Sequence, residues 1–209
     1  MDPLSIALRF GVLIPAIIIH EISHGWAAYL LGDTTAKDKG RLSLNPVRHI
    51  DLWGTILLPL LLVAVFGVGF GYAKPVPINP HRFKDYRQGM FLTGIAGPTS
   101  NLLLAAVSGL IYRISGPGLI TEIILLFAFM NLVLMFFNLI PIPPLDGSRV
   151  LPLFLSDRAM QTYDQMERYG FVILFAVLWF VPQFTGFNPI GWYISNTVQP
   201  LLRVFAGVG

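Results

Sequence analysis

Long apolar runs, separated by short polar segments, make up most of this chain and predict a helical membrane protein. A membrane-spanning helix needs about 20 mostly apolar residues. The segments that reach this length with few charges are residues 4–31, 88–111 and 119–140. Residues 171–181 form the apolar core of a further predicted span. Residues 191–208 are apolar but interrupted by Pro200, which fits either a last span or a helix lying in the membrane interface.

One apolar stretch, residues 52–73, differs from an ordinary span. It contains Pro59 and several glycines, and basic segments lie on both sides of it, at residues 33–51 and 74–87. Basic loops stay on the cytoplasmic side of a membrane, so a simple span between these two loops is disfavoured. The pattern predicts a re-entrant or irregular segment near residues 52–80, covered by protein and ending in an extended, proline-rich run.

We therefore predict an all-α polytopic membrane protein with about four to six transmembrane segments. Residues 156–168 carry apolar side chains along one edge and charges on the opposite edge, which is typical of a short interfacial helix. The sequence shows no internal repeat, low-complexity tract or linker. It predicts a single membrane-embedded domain over residues 1–209, with a core in residues 4–147 and C-terminal helices in residues 156–208.

The composition agrees with this picture and excludes several classes of protein. The chain is 55% hydrophobic and 12% charged, whereas a soluble domain carries about 25% charged residues. The net charge of +3 is spread over short loops, so we expect no nucleic-acid partner. The chain lacks cysteine, which excludes disulfides and thiolate metal sites. No basic region and cleavage site precede the first apolar run, so we expect it to remain in the mature protein.

The chemistry begins in the first span, with the motif His20-Glu21-x-x-His24. Two histidines four residues apart lie one above the other on one face of a helix. That spacing lets both imidazoles reach one Zn²⁺, with the adjacent glutamate as general base. Ionisable side chains are rare at membrane depth and indicate a functional site. Hydrolysis of peptide bonds within the bilayer is the leading hypothesis.

A catalytic zinc site uses three protein ligands, so a third is needed. Asp146 is the best candidate, because it follows a long apolar span and lies in a proline-rich segment that cannot form a regular helix. Asp33 and Asp51 are weaker candidates, since solvated carboxylates are ordinary in charged loops. Glu122 is predicted to lie near the opposite membrane face.

Together these residues resemble the site-2 protease family of intramembrane zinc metalloproteases. The two motifs that carry the resemblance are His20-Glu21-x-x-His24 and Asn138 with Pro143-Pro144-Leu145-Asp146-Gly147. Two lesser matches are Asn45-Pro46-x-x-His49-Ile50-Asp51 and Ala96-Gly97-Pro98-x-x-Asn101. The chain resembles a short form of the family, without a PDZ or CBS domain.

The resemblance implies that His20, His24 and Asp146 bind one Zn²⁺ per chain and that Glu21 is the catalytic glutamate. It also implies that Asn138 helps to hold the substrate or the developing oxyanion. For the lesser motifs, ordinary structural roles are favoured. We predict that Asn101 packs helices together, that His49 and Asp51 order their loop, and that His81 is solvated.

The function predicted from the sequence is therefore that of an intramembrane zinc endopeptidase acting on transmembrane protein substrates in regulated intramembrane proteolysis. Because a helix hides its peptide groups, we expect substrates with helix-breaking residues near the cut. The extended run near residues 74–80 is a candidate to pair with unwound substrate.

We expect a multi-pass protein of the cell membrane with its active site toward the cytoplasm. The alternative is a non-hydrolytic zinc-binding membrane protein for transport or scaffolding. The sequence does not fix the oligomeric state.

Overall fold

A computed structural model describes residues 3–57, 61 and 73–208 of the chain, and the regular elements in these ranges are helical. The α-helices are α1 (Pro3–Leu30), α2 (Thr35–Asp38), α3 (Tyr86–Ile114), α4 (Leu119–Asn138), α5 (Gly147–Val150), α6 (Asp157–Glu167), α7 (Gly170–Phe175), α8 (Val181–Thr185) and α9 (Pro189–Ala206). Shorter 3₁₀ helices cover Pro46–His49, Pro80–Arg82 and Leu151–Phe154, and π-helices cover Leu52–Leu57 and Ala176–Phe180.

Helices long and apolar enough to cross a membrane confirm the polytopic prediction. In the described part of the chain they are Leu8–Leu30, Tyr86–Ile114 and Leu119–Asn138. A further pair, Gly170–Thr185 and Pro189–Ala206, is bent by 107° and forms either a broken span or a re-entrant loop. The described residues therefore hold three or four spans. Residues 58–60 and 62–72 of the predicted re-entrant segment lie outside the described residues, and that prediction stays open.

Helix α1 buries one face between Val12 and Ala28, where buried residues recur at every fourth position. Val12, Ala16, His20, His24 and Ala28 are all buried, as the 3.6-residue period of a helix requires for positions that share one stripe. This stripe faces α3 and α4. The two histidines of the motif thus lie on the packed face of α1.

The C-terminal helices complete the bundle. Helix α9 continues through Pro200 and packs against α3 and α4. Their shared core consists of Ala105, Ala128, Leu132, Val198, Leu202 and Ala206. A Cβ at Gly109 would lie 2.7 Å from Cβ of Phe205, so glycine permits the close approach of α3 and α9. The amphipathic segment predicted at residues 156–168 is helix α6.

Residues 74–79, which we call the strap, form no helix or turn, and the backbone of Asn79 is extended. The extended run predicted from the sequence ends there, because Pro80–Arg82 form a 3₁₀ helix. At its N-terminal end the strap is held by hydrogen bonds to the backbone N–H and carbonyl of Lys74. Lys74 donates its N–H to the carbonyl of His49 at 2.8 Å, and the Lys74 carbonyl accepts from Nη2 of Arg41 at 2.7 Å. These bonds tie the strap to the loop that follows α1.

Asp33 fixes the other end of the strap, and here the description of Asp33 as a solvated loop carboxylate is wrong. Its exposed fraction is 0%. One carboxylate oxygen accepts from the Asn79 backbone N–H at 2.6 Å, and the other accepts from the N–H and hydroxyl of Thr35. Burial raises the pKa of Asp33, but these hydrogen bonds and the charge of Arg82 outweigh it, so the pKa lies below its ordinary value.

Candidate active site

Three buried side chains from distant parts of the chain converge on one point. Nε2 of His20 lies 3.0 Å from Nε2 of His24, and Oδ2 of Asp146 lies 3.0 Å and 3.1 Å from these two atoms. The exposed fractions of the three residues are 5%, 3% and 6%. The structure thus brings together the three predicted metal ligands.

The outer nitrogen of each imidazole has its own acceptor. Nδ1 of His24 lies 2.6 Å from the backbone carbonyl of Thr93, which can only accept a hydrogen bond, so Nδ1 carries the proton. Nδ1 of His20 lies 2.6 Å from Oδ1 of Asn101. Both rings therefore present the unprotonated Nε2 to the centre of the site, as metal-ligating histidines do.

This donor set fits a metal ion. When both imidazoles are neutral and protonated on Nδ1, two imidazole lone pairs and a carboxylate oxygen face one another at about 3 Å, and a cation relieves their repulsion. Zinc–ligand bonds of about 2.0 Å in a tetrahedron place neighbouring ligand atoms about 3.3 Å apart. Two histidines and a carboxylate, with a fourth position left open, are typical of catalytic zinc.

Gly97 of α3 makes room for both histidines. A Cβ built on this glycine would lie 2.6 Å from Cε1 of His20 and would also overlap the ring of His24. No side chain larger than hydrogen fits there without moving the ligands. Gly97 therefore leaves space for the two histidines, and does more than let two helices pack closely. The small-residue motif in the sequence does not by itself show this role.

Asp146 reaches the site from the irregular segment that follows α4. Gly147, the next residue, lies so close to the carbonyl of Leu139 that a Cβ would overlap it, and this contact folds the segment back. Nη1 of Arg149 lies 3.7 Å from Oδ1 of Asp146. One carboxylate oxygen therefore faces a cationic side chain, while the other faces the histidines.

Glu21 lies beside the ligands but outside their cluster. Its Oε2 accepts a hydrogen bond from the Val76 backbone N–H at 2.8 Å. Val76 is the buried residue of the strap, and Glu21 itself is half-buried. The strap thus lies directly against the predicted general base.

Asn138 is the last residue of α4 and is partly buried. Its Nδ2 donates to the Leu134 carbonyl at 3.0 Å, one turn back in its own helix. Among the hydrogen bonds of the described residues, none joins Asn138 to His20, His24 or Asp146. Its predicted role stays a prediction.

The remaining candidates lie away from the metal ligands. Nε2 of His49 donates to the Ser43 carbonyl, and Oδ1 of Asp51 accepts from the Gly54 N–H, so both order their loops as predicted. His81 and Glu122 are exposed.

Asn101 departs from its prediction, because it contacts a ligand as well as a neighbouring helix. Asn101 donates to Asn131 of α4, a residue that the sequence analysis does not identify as a candidate. The available signal was an asparagine within an apolar span.

Comparison with known proteins places the chain among metallopeptidases. A family model described as peptidase family M50 matches residues 113–181, a stretch that contains Asp146 but not the histidine motif. No solved structure gives a significant match.

Three curated relatives extend the likeness to most of the chain, and all are named putative zinc metalloproteases. YwhC of Bacillus subtilis is 40% identical over 180 residues, covering 81% of this chain and 78% of the relative. MJ0611 of Methanocaldococcus jannaschii is 38% identical over 150 residues, covering 68% and 73%. Rip2 of Mycolicibacterium smegmatis is 26% identical over 204 residues, covering 91% and 78%.

Proposed function

The chain belongs to peptidase family M50, the site-2 protease family, and on this premise we propose that it is an intramembrane endopeptidase for transmembrane protein substrates. One observation carries the proposal: three buried side chains that could hold zinc converge on one point, two of them inside an apolar span, with the carboxylate of Glu21 beside them and outside the ligand set. A site built only to hold or move zinc has no need for this additional carboxylate.

The depth of the site supports cleavage within the bilayer. His20 lies twelve residues after Leu8, the start of the candidate span, which is about 18 Å along the helix axis. His24 lies six residues, about 9 Å, before the end of the span at Leu30. That end continues into the basic segment 33–51, which favours the cytoplasmic side. We place the active site below the cytoplasmic surface.

The residues divide the reaction between them. His20, His24 and Asp146 would hold the zinc ion, which activates water and polarises the scissile carbonyl. Glu21 accepts the proton of the attacking water and delivers it to the leaving amine. Asn138 is the last residue of α4, just before the segment that carries Asp146. Its amide has a second N–H besides the one that donates to the Leu134 carbonyl. In this proposal that N–H stabilises the developing oxyanion.

The strap offers a way to hold the substrate. It contains no helix, lies against Glu21 through Val76, and is held near its two ends by Arg41 and Asp33. An unwound segment of a transmembrane substrate can pair with such a segment by backbone hydrogen bonds. Substrates with helix-breaking residues near the cut unwind most readily, and we expect these to be cleaved best.

The experiment uses purified full-length protein in detergent, with a tagged transmembrane substrate that contains helix-breaking residues. Cleavage is followed on gels, and bound zinc is measured for wild type, Glu21→Gln and Glu122→Gln. The second variant is the matched control, because it makes the same chemical change at an exposed carboxylate near the opposite membrane face. We expect wild type and Glu122→Gln to cleave the substrate. The cleavage rate of Glu21→Gln should be at least a hundredfold lower, because general acid–base catalysis is lost. All three proteins should bind one zinc per chain.

Two other results contradict the proposal. Undiminished cleavage by Glu21→Gln excludes this glutamate as the base. Zinc bound by all three proteins, with no cleavage across a panel of helix-breaking substrates, favours the non-hydrolytic zinc-binding protein instead.

A further inference from the structure

A chain of hydrogen bonds leads from the metal site into the interior of the helix bundle. Nδ1 of His20 meets Oδ1 of Asn101 at 2.6 Å, Nδ2 of Asn101 meets Oδ1 of Asn131 at 2.8 Å, and Nδ2 of Asn131 meets the Phe127 carbonyl at 2.9 Å. Both asparagines have exposed fractions of 0%. The chain therefore links α1, α3 and α4 away from water.

The far end of this chain fixes the direction of every bond in it. The Phe127 carbonyl can only accept, so Asn131 must turn its NH₂ toward it. The oxygen of Asn131 then faces Asn101 and requires the NH₂ of Asn101. The oxygen of Asn101 is left facing His20, which must donate from Nδ1.

The consequence for His20 is a defined tautomer. A proton on Nδ1 leaves the lone pair of Nε2 free for the metal ion, whereas a reversed Asn101 amide would offer a donor to Nδ1 and leave the ring without its acceptor. Two buried amides between apolar helices are costly to keep unless they are fully bonded. Holding a ligand gives a reason for their presence.

We propose that Asn131 is a positioning residue, which acts through Asn101 to fix the orientation and tautomer of His20 for zinc binding. The inference rests on the proposed function for its catalytic meaning, but the binding of metal tests it independently. A partner of this kind behind a metal ligand affects metal affinity by about 10- to 100-fold.

The test measures zinc affinity by competition with a chelator, and the visible spectrum of the Co²⁺-substituted protein, in the absence of substrate. Asn131→Leu keeps the branch at Cγ but leaves the amide of Asn101 free to reverse. We expect zinc affinity to fall 10- to 100-fold and the intense bands of four-coordinate Co²⁺ to weaken. Ser108→Ala, a buried polar change about 10 Å farther along α3, should leave both unchanged.

A double variant separates positioning from simple attachment of α3 to α4. In Asn101→Asp with Asn131→Leu, both oxygens at position 101 accept, so no reversed orientation exists and His20 regains its acceptor. We expect zinc affinity to recover to near the wild-type value. If the asparagines only hold the helices together, removal of their mutual bond is not rescued.

Folding and function are kept apart by two further comparisons. If Asn131→Leu gives no folded protein, Asn101→Leu with Asn131→Leu replaces both buried amides and leaves the Nδ1–H of His20 as the one donor of this chain of hydrogen bonds without its acceptor, and the same loss of affinity is expected. Wild-type zinc affinity in either folded leucine variant overturns the inference. If wild type binds zinc but cleaves no substrate, the proposed function fails while the zinc and cobalt measurements still decide the role of Asn131.

Discussion

At the scale of single residues, the site depends on what lies behind the ligands as much as on the ligands. His24 is oriented by the Thr93 carbonyl and His20 by Asn101, and both acceptors come from α3. Gly97 lies between these two residues in α3 and gives the rings their space. The geometry of the two histidines therefore depends on the face of α3 that contacts them as well as on their spacing in α1.

Gly97→Ala is expected to disrupt metal binding, although alanine is the better helix former by about 1 kcal/mol. The added methyl group overlaps both imidazoles, so α1 and α3 must separate or the rings must turn. We expect at least a tenfold loss of zinc affinity, measured by chelator competition. Gly11→Ala is the control, because a Cβ at that exposed position of α1 meets no atom within 4 Å. Unchanged affinity in Gly97→Ala would show that the helices adjust at no cost.

At the scale of elements, the strap and α1 form a unit around Glu21. Asp33 lies three residues after the end of α1 and accepts a hydrogen bond from the end of the strap, so the segment that contacts Glu21 is anchored close to the helix that carries Glu21. The pKa of Asp33 lies below its ordinary value. Its ionised form therefore stabilises the fold above that ordinary pKa, and this contribution is lost as the pH falls toward the lower, folded-state value.

Asp33→Ala is expected to loosen the strap while leaving the metal site intact. The substitution removes the acceptor for the Asn79 N–H and for two groups of Thr35, and each stranded group costs about 1–3 kcal/mol. We expect faster hydrogen exchange at the Val76 amide and reduced cleavage, with zinc retained. Asp38→Ala, at an exposed carboxylate nearby, should change neither. Wild-type exchange at Val76 in Asp33→Ala would mean that the other contacts of the strap, to Arg41 and His49, hold it without Asp33.

At the scale of the whole molecule, the metal site joins the first helix to the segment after the third candidate span. His20 and His24 come from α1, and Asp146 precedes α5. Asp146 reaches the bundle through a short irregular segment, in which three prolines precede it and Gly147 packs against Leu139. A ligand that binds only the folded chain stabilises it by mass action, so zinc should hold these parts together.

Removal of zinc is therefore expected to lower the temperature of unfolding. At a free zinc concentration a thousand times the dissociation constant, the stabilisation amounts to about 4 kcal/mol. The measurement is a thermal scan of the detergent-solubilised protein with zinc and with excess chelator. Asp146→Ala lacks one of three ligands and should lose most of the difference between the two scans. An equal shift in wild type and Asp146→Ala would assign the stabilisation to another zinc site.

The sequence by itself determined the class of protein and the chemistry of its centre. Apolar runs of spanning length require helices in a membrane, because only internal hydrogen bonding satisfies the backbone there. The four-residue spacing of His20 and His24 requires a shared helix face, and Asp146 stood out by its position after a span. These inferences need only local periodicity and the composition of each segment.

The tertiary structure decided the contacts between segments that are far apart in the chain. Nothing local distinguishes the buried Asp33 from a solvated carboxylate, because the difference lies in the strap that covers it. Likewise Asn101 resembles any polar residue of a packed helix until α1 and α4 are placed beside it. Burial and hydrogen-bond partners are properties of the assembled bundle, so the residues that orient the ligands emerge only from the fold.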